Sequence, residues 1–166
     1  MELRRLYSGI GEFDGQSTLI YFQRRWFLFA RANCAEKGHR QVQACCGTQL
    51  DSFGSFSLVS FAGVPLDADV YFAHVYKTKH NTLAAIIPMA ESATKKSSTR
   101  GGIYIAESAD GFNFGPPVLL LHSTVYQRRT SDVPVHDASL LIDKDATFTL
   151  PVQHNVRFYF FLGFVL

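Results

Sequence analysis

The residues predict an all-β protein assembled from repeated antiparallel sheets, the unit from which a β-propeller is built. Three observations carry this. Fifteen Phe, seven Tyr and one Trp among 166 residues, with only 18% charged, favour strands over helices. A weak internal repeat relates VQACCGTQLDSFGSFSLV, from residue 42, to IYIAESADGFNFGPPVLLL, from residue 103. It matches Ala44 to Ala106, Cys46 to Ser108 and Thr48 to Asp110 at an offset of 62, and Phe53 to Phe114 after a one-residue insertion. A second series, beginning at Phe29, Ile87 and Pro151, ends three apolar runs at offsets of 58 and 64. A period near 60 made of strands and turns, with no helical segment, is one four-stranded sheet per repeat.

The strands follow in order. Residues 17–23 (STLIYFQ) and 25–33 (RWFLFARAN) form a hairpin around Gln23-Arg24-Arg25. AEKGHR, from Ala35, is a polar turn. Strands are predicted over 41–46 and 56–61, joined by a Gly/Ser/Asp turn, and Gly63, Pro65 and two Asp mark the connection after them. Residues 70–76 and 82–89 form the next hairpin, and ESATKKSSTRGG, from Glu91, is a polar loop. Strands over 103–107, 117–122, 140–142 and 147–153 complete the pattern. The last nine residues, FYFFLGFVL, lack polar alternation. They read either as a strand missing its partner or, somewhat better, as the translated end of a truncated gene.

No composition break divides the chain, so residues 1–166 are expected to form one unit with repeats over roughly 9–62, 63–122 and 123–157. A net charge of +2, with basic residues in scattered pairs, argues against a nucleic-acid or membrane partner. Three cysteines without a CxxC pair or a zinc-like His/Cys spacing read as reduced, buried thiols. The first residues, MELRRLYSGIGEFDG, have no signal-peptide apolar core, and no run reaches the length of a membrane helix. The cytoplasm is therefore the default expectation.

Ala106-Glu107-Ser108-Ala109-Asp110-Gly111-Phe112-Asn113-Phe114 resembles the A-x-S-x-D-G-x-x-W/F motif of the five-bladed β-propeller glycoside hydrolases, the arabinanases, β-xylosidases, invertases and levansucrases. Gln41-Val42-Gln43-Ala44 with Phe53 is a degraded copy. Glu12-Phe13-Asp14-Gly15, followed by Leu19-Ile20-Tyr21-Phe22 and Trp26-Phe27-Leu28-Phe29, is similar to that superfamily's first blade. The resemblance implies a fragment of a five-bladed propeller, about two and a half blades. The remaining blades would come from a longer chain or a second copy. In the motif, Ser and Asp tie a turn and the aromatic packs between blades.

It also implies a carbohydrate ligand and hydrolysis by paired carboxylates, without a cofactor or metal. Such pairs stand about 5–5.5 Å apart in retaining and about 6.5–9.5 Å apart in inverting enzymes. Asp14 matches the nucleophile or base position. Asp69, with Asp67 as the alternative, takes the second-blade place, and Asp132, with Asp137 as the alternative, the third. The family's general-acid Glu has no counterpart, since no Glu follows Glu107. Arg31, Gln153 and His154 are candidates for sugar hydroxyls, and Trp26 and Tyr71 for stacking on a ring. A non-catalytic propeller fragment that binds glycans or proteins is the competing expectation.

Overall fold

The computed structural model describes residues 16–34, 39–65, 68–90 and 101–122, and the strand backbone of 135–136, 141–142, 147–154 and 158–165. Every regular element among them is a strand. No helix is long and apolar enough to cross a membrane among the described residues.

The first sheet is a meander of β1 (Thr18–Phe22), β2 (Arg25–Cys34), β3 (His39–Gly47) and β4 (Ser57–Leu58). Gln23 and Arg24 join β1 to β2 with positive φ at both positions, the geometry of the tight turn that matches strand twist. The second sheet contains β5 (Ser60–Phe61), β6 (Asp69–Val70), β7 (His74–Lys77), β8 (Leu83–Ala90), β9 (Gly101–Ser108), β10 (Asn113–Phe114) and β11 (Val118–His122), and it curls into a half-barrel. The third comprises β12 (Val135–His136), β13 (Leu141–Ile142), β14 (Thr147–His154) and β15 (Phe158–Val165). β15 corrects one expectation. The apolar tail is a strand with a partner, paired residue for residue with β14 from His154↔Phe158 to Thr147↔Val165.

Strand alternation gives the first sheet two faces. Phe22, Phe27, Phe29, Val42 and Ala44 point toward the second sheet and meet Val70, Val75, Leu83, Ala85, Ile87 and Ala106 in the main core. Leu28, Ala30, Cys45, Phe53 and Phe56 form a separate apolar cluster on the other face.

The turn after β9 binds the two sheets together. The Ser108 hydroxyl donates to Asp110 Oδ1 at 3.0 Å and accepts from Gly111 N–H at 2.9 Å. Asp110 Oδ1 accepts from the N–H groups of Phe112 and Asn113, each at 2.8 Å, and Oδ2 from the Asn113 amide at 2.8 Å. So fixed, the turn sends Phe112 onto Phe27 and Phe114 between Phe29 and Phe61, with ring centroids 5.7, 6.3 and 5.2 Å apart. The strand leaving the first sheet, β5, is stitched parallel to β10, with Ser60 N–H to Phe112 O and Ala62 N–H to Phe114 O. The motif is a turn-tying element whose aromatics fill the space between sheets.

Burial alone would raise the Asp110 pKa, but the bonds from Asn113, Phe112 and Ser108 outweigh it and bring the carboxyl from 3.8 to about 2. A pKa depressed by folding gives stability that is complete above the unfolded value. It is lost as pH falls through the folded one, here from about 4 toward about 2. Losing these turn bonds in Asp110→Ala should cost roughly 1–2 kcal/mol at pH 7, as other lost turn or cap bonds do. The gap between mutant and parent in chemical denaturation should narrow across that acid window. A gap that stays constant down to pH 2 would contradict this.

The repeat is real in three dimensions but shifted by one residue. The bridge Gly47↔Phe53 corresponds to Ser108↔Phe114. Gly54 N–H donates to Cys46 O as Gly115 N–H donates to Glu107 O. Gly47, not Cys46, thus stands in the place of Ser108, the offset is 61 throughout, and no insertion is needed. In β2 and β8 the partners of these residues are Trp26 and Leu83, an offset of 57. Matching by residue type places Cys46 opposite Ser108, and a one-residue slip moves every side chain to the wrong face. Gly47 also explains why the first copy is degraded. A Cβ there would collide with Ser52 O, so the turn has closed over the space a serine would need.

Candidate functional site

The edge of the second sheet beyond β8 is broken, and the break builds a polar seam against the first sheet. β6 and β7 both pair with β8, leaving residues 71–73 between them out of regular pairing. Pro88 of β8 stands opposite the break. It accepts from Tyr71 N–H at 3.0 Å but has no N–H to return to Tyr71 O. A buried carbonyl needs a donor, and Arg31 of β2 supplies it, Nε to Tyr71 O at 2.7 Å. Two more side chains of the first sheet serve neighbouring carbonyls. Thr18 Oγ1 donates to Ala73 O at 3.0 Å, and Gln41 Nε2 donates to Ala68 O at 2.8 Å.

Asp69 lies at the start of β6, 7% exposed. Its Oδ1 accepts from Arg40 N–H at 2.7 Å, and its Oδ2 faces Arg40 Nη1 at 4.0 Å. The Arg40 side chain is 41% exposed, so this ion pair opens to solvent on one side. The Tyr71 ring has the Arg40 guanidinium 5.0 Å and the Arg31 guanidinium 5.9 Å from its centroid. Carboxylate, guanidiniums, amide and aromatic ring thus converge along one seam. Such a group can accept and donate hydrogen bonds to hydroxyls and offer a ring face to a C–H surface.

The expected site residues distribute unevenly around this seam. Asp69, Arg31 and Tyr71 come together there. Trp26 is five residues before Arg31 on the same strand, about 17 Å away at strand rise and on the opposite face. There its ring packs 5.1 Å from that of Tyr21. Gln153 and His154 end β14, Gln153 opposite Val135 and Tyr159, and His154 opposite Phe158. Asp14, Asp67, Asp132 and Asp137 lie outside the described residues. Ser108 and Asp110 sit at the far end of β9 from Gly101, the partner of Ala90, which itself pairs with Asp69. That is seven residues, or roughly 23 Å, from the seam. Among the described residues no group of three or more His, Cys, Asp or Glu could hold a metal ion. Cys45 is buried, and that burial, reinforced by neighbouring Cys46, raises its pKa from 9.0 to about 11, so its thiol is inert at neutral pH.

Arg40 and Gln41 carry no local signal of a site role, and neither is among the residues expected there. The signal that points to this seam is Pro88 within an apolar strand, since a proline there predicts an unpaired carbonyl across the ladder.

No family model matches the chain, and no curated protein matches it with significance. Among solved structures the fold is similar to that of an N-acetylgalactosamine deacetylase from F. plautii, crystallised in complex with blood group B trisaccharide. The likeness has a TM-score of 0.52 over 82% of this chain at 13% identity, and this chain spans 38% of that one's length. It is a likeness of fold.

Proposed function

We propose that the chain belongs to a carbohydrate-processing protein that holds a sugar along the seam between the first and second sheets. The observation that carries this is the convergence of Asp69, Arg40, Arg31 and Tyr71 at the broken edge of the second sheet. The fold's likeness to a chain crystallised with a trisaccharide supports the ligand class. In the finer form of the proposal the reaction is hydrolysis of a glycosidic bond, in a propeller-type ring of sheets. Asp14, Asp69 and Asp132 are its carboxylates, and Gln153 and His154 are further sugar contacts.

A second reading is specifically favoured by Asp69. Its Oδ1 is committed to the Arg40 backbone and its Oδ2 faces a guanidinium, which suits a carboxylate that orients a sugar better than one that attacks it. In that reading the chain binds glycans without cleaving them.

Titration of the chain with galactose, N-acetylgalactosamine and arabinofuranosides, alongside turnover of their aryl glycosides, separates the two. The hydrolase form predicts turnover that falls roughly 10²–10⁴-fold in Asp14→Asn while sugar binding survives. Binding without turnover selects the second reading. Absence of binding to every sugar contradicts both.

A further inference from the structure

We infer that the sugar held along the seam carries a carboxylate, as a uronic acid does, and that the Arg40 guanidinium reads it. This deepens the proposed sugar site and rests on it.

Arg40 is the second residue of β3 and stands opposite Asn33 of β2. Its main chain is tied down, because its N–H donates to Asp69 Oδ1 at 2.7 Å. Two neighbours orient its side chain. The guanidinium lies 5.0 Å from the centroid of the Tyr71 ring, within cation–π range, and Nη1 lies 4.0 Å from Asp69 Oδ2. The second distance is beyond hydrogen-bond reach. Among the described residues the Arg40 guanidinium donates no hydrogen bond.

The best partner for a guanidinium is a carboxylate that takes two parallel bonds, one on each oxygen. Asp69 does not serve as one. Its Oδ1 lies on the Arg40 N–H, and its Oδ2 meets the guanidinium only at the longer distance. The fork is thus aligned by ring and carboxylate, charged, and open to solvent on one side. A neutral sugar hydroxyl fits it poorly, whereas the two coplanar oxygens of a carboxylate match its plane.

The charges point the same way. Among the described residues the seam holds two guanidiniums, those of Arg31 and Arg40, around one ring, and one carboxylate. That balance favours a ligand with a single negative charge. A dianionic sugar phosphate would meet stronger repulsion from the buried Asp69.

Paired calorimetric titrations of the chain test this, with galacturonate against galactose and glucuronate against glucose. Within each pair the sugars differ only at C6, a carboxylate replacing a hydroxymethyl group. At low ionic strength the acid should bind roughly tenfold more tightly than its neutral partner, the scale of a hydrogen bond to a charged group. The gap should shrink as salt rises from about 0.01 M to about 1 M, because the screening length falls from about 30 Å to about 3 Å. Arg40→Gln should close the gap, lowering affinity for the acid more than for the neutral sugar. It keeps the backbone N–H that Asp69 accepts, and an unchanged melting temperature checks that the fold survives. Arg40→Lys, which keeps the charge without the fork, should restore only part of the gap. Equal affinity for acid and neutral sugar, a preference that persists in Arg40→Gln, or tighter binding of galactose 6-phosphate than of galacturonate overturns the inference and leaves the sugar site standing. Binding of none of these sugars overturns it together with that site.

Discussion

Gly111→Ala is expected to lower stability by about 2–5 kcal/mol. Gly111 has φ +83°, and a Cβ built on it would stand 2.7 Å from Phe27 Cε1. The left-handed backbone costs a non-glycine residue roughly 1–2 kcal/mol, and forcing a methyl into a packed core costs roughly 1–3 kcal/mol more. Against a total of about 5–15 kcal/mol for a domain, that is a large fraction. Urea denaturation at neutral pH measures it. Adding Phe27→Leu should recover part of the loss by relieving the clash while leaving the backbone strain, because the two sites are in contact and do not behave additively. An unchanged midpoint in Gly111→Ala would mean that the turn is not seated on the Phe27 ring.

Phe114→Ala should cost about 3–5 kcal/mol, the usual range for deleting a buried aromatic. The ring is 3% exposed and lies between Phe29 and Phe61, so its removal opens a cavity at the junction of both sheets. The loss should exceed that of Asp110→Ala, because the aspartate only positions what the aromatic fills. Equal effects would contradict that order of importance.

The turn that carries both positions is legible in the residues themselves. Ser108, Asp110 and Gly111 form it by bonds within three residues of one another, so the motif encodes its own geometry as a structural tie. The strand pattern, the hairpin at Gln23-Arg24 and the absence of helix among the described residues are legible for the same reason, being matters of local alternation and turn chemistry. The register of the repeat is not. Cys46 resembles Ser108 in size, but the six-residue spacing shared by Gly47–Phe53 and Ser108–Phe114 is what the backbone preserves. FYFFLGFVL shows no polar alternation, so the pairing of β15 with β14 is not legible in it.

The seam is harder still to read. Asp69 is the first residue of β6, at the edge of the second sheet. Its bond to Arg40 joins residues 29 apart through the packing of two sheets, which no local pattern encodes. Repeat position alone points to Arg31, yet Arg31 is held in the seam because Pro88 leaves Tyr71 O without a ladder donor.

The central claim, a sugar site along that seam, is tested most directly by backbone amide shifts in a titration of the isotope-labelled chain with blood group B trisaccharide and its component sugars. The account predicts the largest shifts at Arg31, Arg40, Asp69 and Tyr71, with Arg40→Ala weakening the response. No shifts at millimolar sugar, or shifts confined to the Tyr21–Trp26 hairpin on the opposite face, would contradict it.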